Sequence, residues 1–276
     1  AERFHPKHMN GAFYRPVPLN RQAEFTLVNV FHECTEYVRN YTLPFNMLTI
    51  HLRAEGDDAS VVENLRTGKV YRARMNDITL IPAGMPQQYR HTLRSERYSI
   101  HFRLELYPGI DVFSEGSSRI VENSPELRAE AEEIFREPNR VLMLSRCREF
   151  ALRFCHRYWP EREPVRAERA RFFEPVLRQV RRSLSAELQV ADMAEIAGCS
   201  RGYFVREFQA VFGQSPKEYL QHELYRRASV LLLAPGASVK SVAEELRFST
   251  EFNFSRFFKR LSGLSPNAYR KDFPTS

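Results

Sequence analysis

Between Glu24 and about Leu106, apolar and polar residues alternate in short runs: "FTLVNVFHE", "NMLTIHLRAE", "KVYRARM", "DITLIPAG" and "RYSIHFRLEL". A period of two places every second side chain on one face, so these runs predict β-strands. Gly, Asp and Pro separate them, and several short strands at this spacing predict a small sandwich or barrel. Residues 1–22 precede them as a Pro- and His-containing arm without periodicity. The period then lengthens. "SPELRAEAEEIFRE" predicts a helix with Ser124 as N-cap and Pro125 in the first turn. "RVLMLSRCREFALRFCHRYW" predicts a second helix, apolar on more than one side. The charged, Pro-bearing stretch 160–170 ("PEREPVRAERA") reads as a linker, and the rest to Tyr269 is helical in pattern. The division expected is an arm at 1–22, a mainly-β unit with flanking helices at 23–159, a linker at 160–170 and an all-α unit at 171–276.

The all-α part repeats itself. "VADMAEIAGCSRGYFVREFQAVFGQSPKEYL" (190–220) pairs with "VKSVAEELRFSTEFNFSRFFKRLSGLSPNAYR" (239–270). Val190, Met193, Ala194 and Ala197 lie on one helical face, as do Val239, Val242, Ala243 and Leu246. A short turn follows in each copy, with Ser200 and Ser249 as expected N-caps. The next helix carries an apolar stripe: Phe204, Phe208 and Val211 in the first copy, Phe254, Phe257, Phe258 and Leu261 in the second. Each copy closes on Gly-x-Ser-Pro, a helix stop followed by a helix start. Two short helices with a tight turn form a helix-turn-helix pattern, here duplicated.

With the stripes buried, the opposite faces of the second helices are the candidate DNA-reading surfaces. They carry Arg201, Gly202, Val205, Arg206 and Gln209 in one copy, and Glu251, Phe252, Ser255, Arg256 and Lys259 in the other. Arg suits bidentate contact with guanine, and an apolar group suits the thymine methyl. "SPKEYLQHELYRRASVLLL" predicts one connecting helix of about 27 Å, long enough to set two reading helices about one DNA turn apart.

Charge agrees with this assignment. The chain of 276 residues has a formal net charge of +7, of which the part from Arg171 onward contributes +5. At 43% apolar it can bury a real core. Cys34, Cys147, Cys155 and Cys199 form no CxxC pair and read as free thiols of a reducing cytosol. Neither a membrane-length apolar run nor a secretory signal stands out, so a cytoplasmic protein is expected.

Residues 171–273 resemble the DNA-binding domain of the AraC/XylS family, through the two repeat segments and the "YRRASVLLL" between them. The resemblance implies double-stranded DNA as partner, with base contacts from Gly202, Val205, Arg206, Glu251, Phe252 and Arg256, and Gln209 and Lys259 near phosphates. RNA polymerase is a further partner open to such a regulator. Arg247 stands where the family usually has Gly, and Asn253 where it usually has Tyr. In the N-terminal half, "MNDITLIPAGMPQQYRH" resembles a cupin-type strand motif and "YSIHFRL" a strand of one branch of these sensors. That implies a cupin-like barrel binding a small-molecule effector, often a sugar or related metabolite, with the helices in 124–158 forming a homodimer.

His51, Arg53, Tyr89 and His101 are the candidate effector-binding residues, His51 sharing a strand face with Arg53, and His101 with Arg103. The alternative is that these faces meet solvent while Ile50, Leu52, Ile100 and Phe102 fill the core. A cupin metal site needs an HxH pair and a later His; "IHLRAE" has one His and Gln87 replaces the later one, so neither metal nor cofactor is expected, and no enzyme. Two functional readings remain: a regulator controlled by an effector, and an effector-free regulator whose barrel only dimerises or contacts protein partners.

Overall fold

The computed structural model describes residues 23–113, 119–158 and 164–273. The expected arm at 1–22 and the start of the expected linker lie outside the described residues. The strands are β1 (Glu24–Glu33), β2 (Tyr37–Thr42), β3 (Asn46–Ala54), β4 (Ser60–Asn64), β5 (Val70–Arg72), β6 (Asp77–Ile81), β7 (Pro86–His91), β8 (Ser95–Tyr107), β9 (Ile110–Asp111) and β10 (Ile120–Asn123). The helices are α1 (Pro125–Phe135), α2 (Arg140–Arg157), α3 (Pro164–Arg182), α4 (Val190–Ile196), α5 (Arg201–Phe212), α6 (Pro216–Leu232), α7 (Val239–Glu245), α8 (Glu251–Ser262) and α9 (Pro266–Asp272). Helix α3 begins at Pro164, inside the stretch read as a linker; proline is well placed in a first helical turn, where no N–H is needed.

The strands form two antiparallel sheets. One runs β1-β8-β3-β6-β10 with β9 on β8, the other β2-β7-β4-β5. Strand alternation explains why the first sheet is covered on both faces. Leu48 and Ile50 of β3, Ile78 and Leu80 of β6, and Ile100 and Phe102 of β8 pack under α1 and α2. The intervening Met47 and Ile81 point the other way and meet Tyr41, Val62 and Tyr89 of the second sheet. Solvent therefore reaches neither central face, and the polar residues on the inter-sheet side are buried. Helix α1 starts as expected: Ser124 Oγ accepts the Leu127 N–H at 3.2 Å.

The helical region has two cores. Phe173, Val176 and Leu177 of α3 join Met193, Phe204, Phe208 and Phe212 in the first. In the second, Phe254 and Phe258 of α8 meet Tyr225 of α6 and Tyr269 of α9, and this core runs on without a break into Tyr41, Phe45 and Met47 of the β region. Polar contacts bind the two regions as well. Tyr219 donates to the Pro108 carbonyl at 2.9 Å and Tyr225 to the Thr42 carbonyl at 2.6 Å. Glu105 of β8 pairs with both Arg181 and Arg226, and Arg226 pairs with Glu223 at 2.9 Å. Gly263, at φ 84°, lies so close to β2 that a Cβ there would sit 2.7 Å from the Asn40 carbonyl oxygen.

Candidate nucleic-acid interface and effector cavity

The two helix pairs α4–α5 and α7–α8 are built alike. Ser200 caps α5 through the Tyr203 N–H. In the second pair the cap is Thr250, which accepts the Asn253 N–H at 3.1 Å, while the expected Ser249 instead accepts from the Asn253 side chain at 2.8 Å. The second turn is thus one residue longer. Both turns need a left-handed residue: Gly198 at φ 66° supplies it in the first and Arg247 at φ 56° in the second. Both second helices end at a left-handed glycine, Gly213 and Gly263.

The pattern of burial over α5 (201–210) repeats position for position over α8 (251–260). In α5, Phe204 and Phe208 are buried; Arg201, Gly202, Arg206 and Gln209 are exposed and Val205 is half-buried. In α8, Phe254 and Phe258 are buried; Glu251, Phe252, Arg256 and Lys259 are exposed and Ser255 is half-buried. Phe252 is 67% exposed, unusual for so large an apolar side chain. Each Arg lies over an aromatic ring of its own helix, Arg206 over Tyr203 at 5.4 Å and Arg256 over Phe252 at 5.6 Å. Gly202 is helical with nothing within 4 Å of where a Cβ would be, so no packing within the chain calls for glycine there. On α8 an open groove lined by Asn253, Arg256, Phe257, Lys259 and Arg260 concentrates positive charge. Among the described residues the β region meets α3, α5, α6 and α8 and leaves both of these faces uncovered.

A cavity lies between the two sheets. His51, Tyr89 and His101 line it. Arg53 does not: a bulge in β3 between His51 and Arg53 breaks the alternation that was expected to put both on one face. Arg53 is partly exposed and bonds the Leu93 carbonyl at 3.1 Å. Arg103 is also absent from the cavity wall, lying near Glu105 and Arg226. Sequence reasoning missed Arg97, which is buried on the same face of β8 as His101; its Nε meets Glu33 at 3.1 Å and its Nη2 donates to the Tyr37 hydroxyl at 3.1 Å. The signal was available, since Arg97, Ser99 and His101 alternate with Tyr98, Ile100 and Phe102. His91, which bonds Ser60 at 2.9 Å, was missed as a wall residue too.

Burial keeps the cavity histidines neutral, with Arg97 adding to the effect at His51 and His91. His51 and His101 fall to about 3 and His91 to about 2. Thr49 Oγ1, His51 Nδ1, Arg97 Nη1 and His101 Nδ1 have no hydrogen-bond partner among the described residues, although all four side chains are buried. Such atoms are costly without a partner. Among the described residues no three His, Cys, Asp or Glu side chains group closely enough to hold a metal ion.

These histidines predict a pH-dependent stability. Unfolded imidazole takes a proton below about pH 6.5, while the buried rings do so only near pH 3, so the unfolded state binds more protons between those limits. Stability should therefore be full above about pH 6.5 and fall as the pH drops. At pH 5 each ring should cost about 2 kcal/mol. Urea midpoints at pH 7 and pH 5 measure this, and His101→Leu should flatten the dependence.

Two short helices, a tight turn and one uncovered face on the second helix define a helix-turn-helix unit, and this chain has two. Comparison with known proteins agrees. A family model described as a helix-turn-helix domain matches residues 193–272. An uncharacterized HTH-type transcriptional regulator of Escherichia coli, YidL, is 36% identical over 102 residues, 37% of this chain and 34% of that protein. The MmsAB operon regulatory protein of Pseudomonas aeruginosa is 32% identical over 92 residues, 33% of this chain and 30% of its own length. The match thus spans about a third of these relatives. Over this region the chain is similar to HTH-type transcription regulators, among them a putative AraC-like transcription regulator of Streptomyces lividans, 37% identical over 82 residues, 30% of this chain and 27% of that protein. Its fold as a whole is like that of ToxT from Vibrio cholerae: an apo ToxT variant superposes with a TM-score of 0.62 at 10% identity, over 90% of this chain and 98% of that one. A ToxT structure bound to an unsaturated fatty acid gives 0.59 at 9% identity, over 91% and 98%.

Proposed function

We propose that this chain is a sequence-specific DNA-binding transcription regulator controlled by a small hydroxylated effector held between its two sheets. In this reading residues 171–276 bind DNA, residues 23–159 form the sensor, 1–22 is an arm, and 160–170 connects sensor to DNA-binding part, running from residue 164 as the start of α3. The two sheets correspond to the halves of a cupin-like barrel. The observation that carries the DNA role is the position-for-position match of burial between α5 and α8, which leaves Arg206 and Arg256 uncovered in equivalent places. Arg201, Gly202, Val205 and Gln209 complete the first reading face, and Glu251, Phe252, Ser255 and Lys259 the second. Gly202 fits a helix that approaches another backbone closely.

The cavity chemistry favours hydroxyl groups. A neutral imidazole offers one donor and one acceptor, as a hydroxyl requires, whereas a carboxylate needs donors alone. His51, His101 and Thr49 supply the mixed set, Arg97 Nη1 a further donor, and the stacked Tyr41–Tyr89 pair, 4.5 Å apart, an aromatic wall. A fatty acid such as the one bound by ToxT offers one carboxylate to these donors, and its alkyl chain gives the remaining buried polar atoms no partner. Homodimerisation through the helices in 124–158 is part of the proposal. Phe150 and Phe154 are consumed by the intrachain core, which leaves Val141 and Leu142 exposed on α2 for a partner copy.

Arg256→Ala should weaken binding to a DNA site selected from random sequence by about 1–3 kcal/mol and relax base preference at one position. Lys259→Ala should weaken binding to all sequences and lower the salt slope by about 1. Fluorescence anisotropy across a salt series reads both. Wild-type affinity in both variants would show that this face does not meet DNA.

A further inference from the structure

Among the described residues, fourteen of the fifteen that wall the inter-sheet cavity belong to the β region; the fifteenth is Phe273, from the end of the helical region. Its N–H caps α9 through the Tyr269 carbonyl at 3.0 Å, and its ring is only 6% exposed. It meets Tyr41 edge-on at 5.7 Å and His101 at 6.1 Å between ring centres. With Phe273 in place the cavity has about 20 Å³, room for one water. A metabolite needs a pocket of at least about 300 Å³, so something must move before one can bind. The β2, β4 and β7 walls are held by strand ladders on which Tyr41 and Tyr89 themselves sit. Phe273 belongs to no ladder and follows a helix of 7 residues.

We propose that Phe273 is a displaceable plug: an effector entering the cavity takes its place, and by expelling it loosens the second helix-turn-helix unit from the β region. The proposal rests on the reading of the cavity as an effector site. Transmission is through contact. Phe273 packs on Tyr269 at 4.8 Å, Tyr269 on Phe258 of α8 at 5.1 Å, and Phe258 on Tyr225 of α6 at 5.2 Å. One ring therefore belongs both to the cavity wall and to the core behind the second reading helix. The first unit is held elsewhere, through Tyr219 to Pro108 and Arg181 to Glu105, so loss of the plug leaves it seated. Ligand and plug exclude one another, and occupancy of the cavity changes the freedom of α8 relative to α5. Because both reading faces are already uncovered, the effector alters how the two units are held together rather than uncovering them.

The test uses the full chain, Phe273→Ala and the milder Phe273→Leu, with two readouts. In hydrogen exchange without ligand, Phe273→Ala should speed the amides of α9 and of residues 40–42 by about tenfold and leave α4 and α5 unchanged, with Phe273→Leu between. In calorimetric titration with pentoses, hexoses and their alditols, a compound that binds the wild type should bind Phe273→Ala about tenfold more tightly, because no plug has to be displaced. Unchanged exchange in α9 and β2 overturns the proposal. So does equal affinity for wild type and variant, which leaves the effector reading intact. Binding of no such compound to either protein overturns the hydroxylated-effector reading itself and, with it, the competition proposed here.

Discussion

Arg226→Ala is expected to destabilise the protein by about 3–5 kcal/mol, measured as a shift of the urea midpoint. Arg226 lies on α6 and pairs with Glu105 of β8 and with Glu223, both only 4% exposed, while its Nη2 donates to the Gly109 carbonyl at 3.2 Å. Burial alone would push the Glu105 carboxyl up; Arg226 and Arg181 more than offset this and hold it below the usual carboxylate range. Without Arg226 the two buried carboxylates keep Arg181, whose Nε is 3.9 Å from Glu223, with Arg103 nearby, and lose the cation that pairs with both at close range. Because the cluster joins the β region to the connecting helix, the variant should also unfold over a broader range, in which the two regions separate. Arg227→Ala is the control one residue along. Arg227 pairs with Glu245 at 3.0 Å on the surface, and its loss should cost at most about 1 kcal/mol. A double replacement, Glu105→Leu with Arg226→Met, should recover much of the loss, since the cost comes from unpaired buried charge rather than from absent attraction.

Two phenylalanines six positions apart on α8 should behave in opposite ways. Phe258 is wholly buried against Phe254, Tyr225 and Tyr269. Phe258→Ala should cost about 3–5 kcal/mol, the transfer term plus the cavity left behind, because three rings cannot collapse together to fill the space. DNA affinity should fall with the fold. Phe252 is 67% exposed and lies under the Arg256 head group, so Phe252→Ala should change stability by no more than about 0.5 kcal/mol. Its effect should appear in DNA binding alone, as a loss of preference at a thymine. Thermal denaturation and anisotropy on the same preparations separate the two.

The helical half was legible because its signals are local. The 3.6-residue stripes, the Gly-x-Ser-Pro closures and the 50-residue offset between copies need no long-range information. Even the departure at Arg247 is explained by a position that keeps its left-handed backbone without glycine, a conformation that costs about 1–2 kcal/mol for other residues. The cap at Thr250 was missed because Ser249 offers the same chemistry one residue earlier. The N-terminal half was legible only where strands are rich in β-branched and aromatic residues. The runs for β1, β3, β6 and β8 announce themselves, whereas β2 ("YVRNYT") and β4 ("SVVEN") are short and polar. These strands are two of the four in the second sheet, so the part of the cavity wall that β2 supplies, with Tyr37 and Tyr41, stayed out of view. The bulge that turns Arg53 away is a property of pairing with β8 and leaves no mark in β3 itself. Phe273 reaches the cavity from more than 170 positions beyond Phe102, a contact that only the folded chain specifies.

The central claim is that a single chain reads two successive major-groove segments through α5 and α8. Hydroxyl-radical footprinting on a site selected from random DNA tests it directly. The expected pattern is two protected segments about 10 base pairs apart on one face of the duplex, the first weakened by Arg206→Ala and the second by Arg256→Ala. A single protected segment in the wild type, or the same segment lost in both variants, would contradict the account.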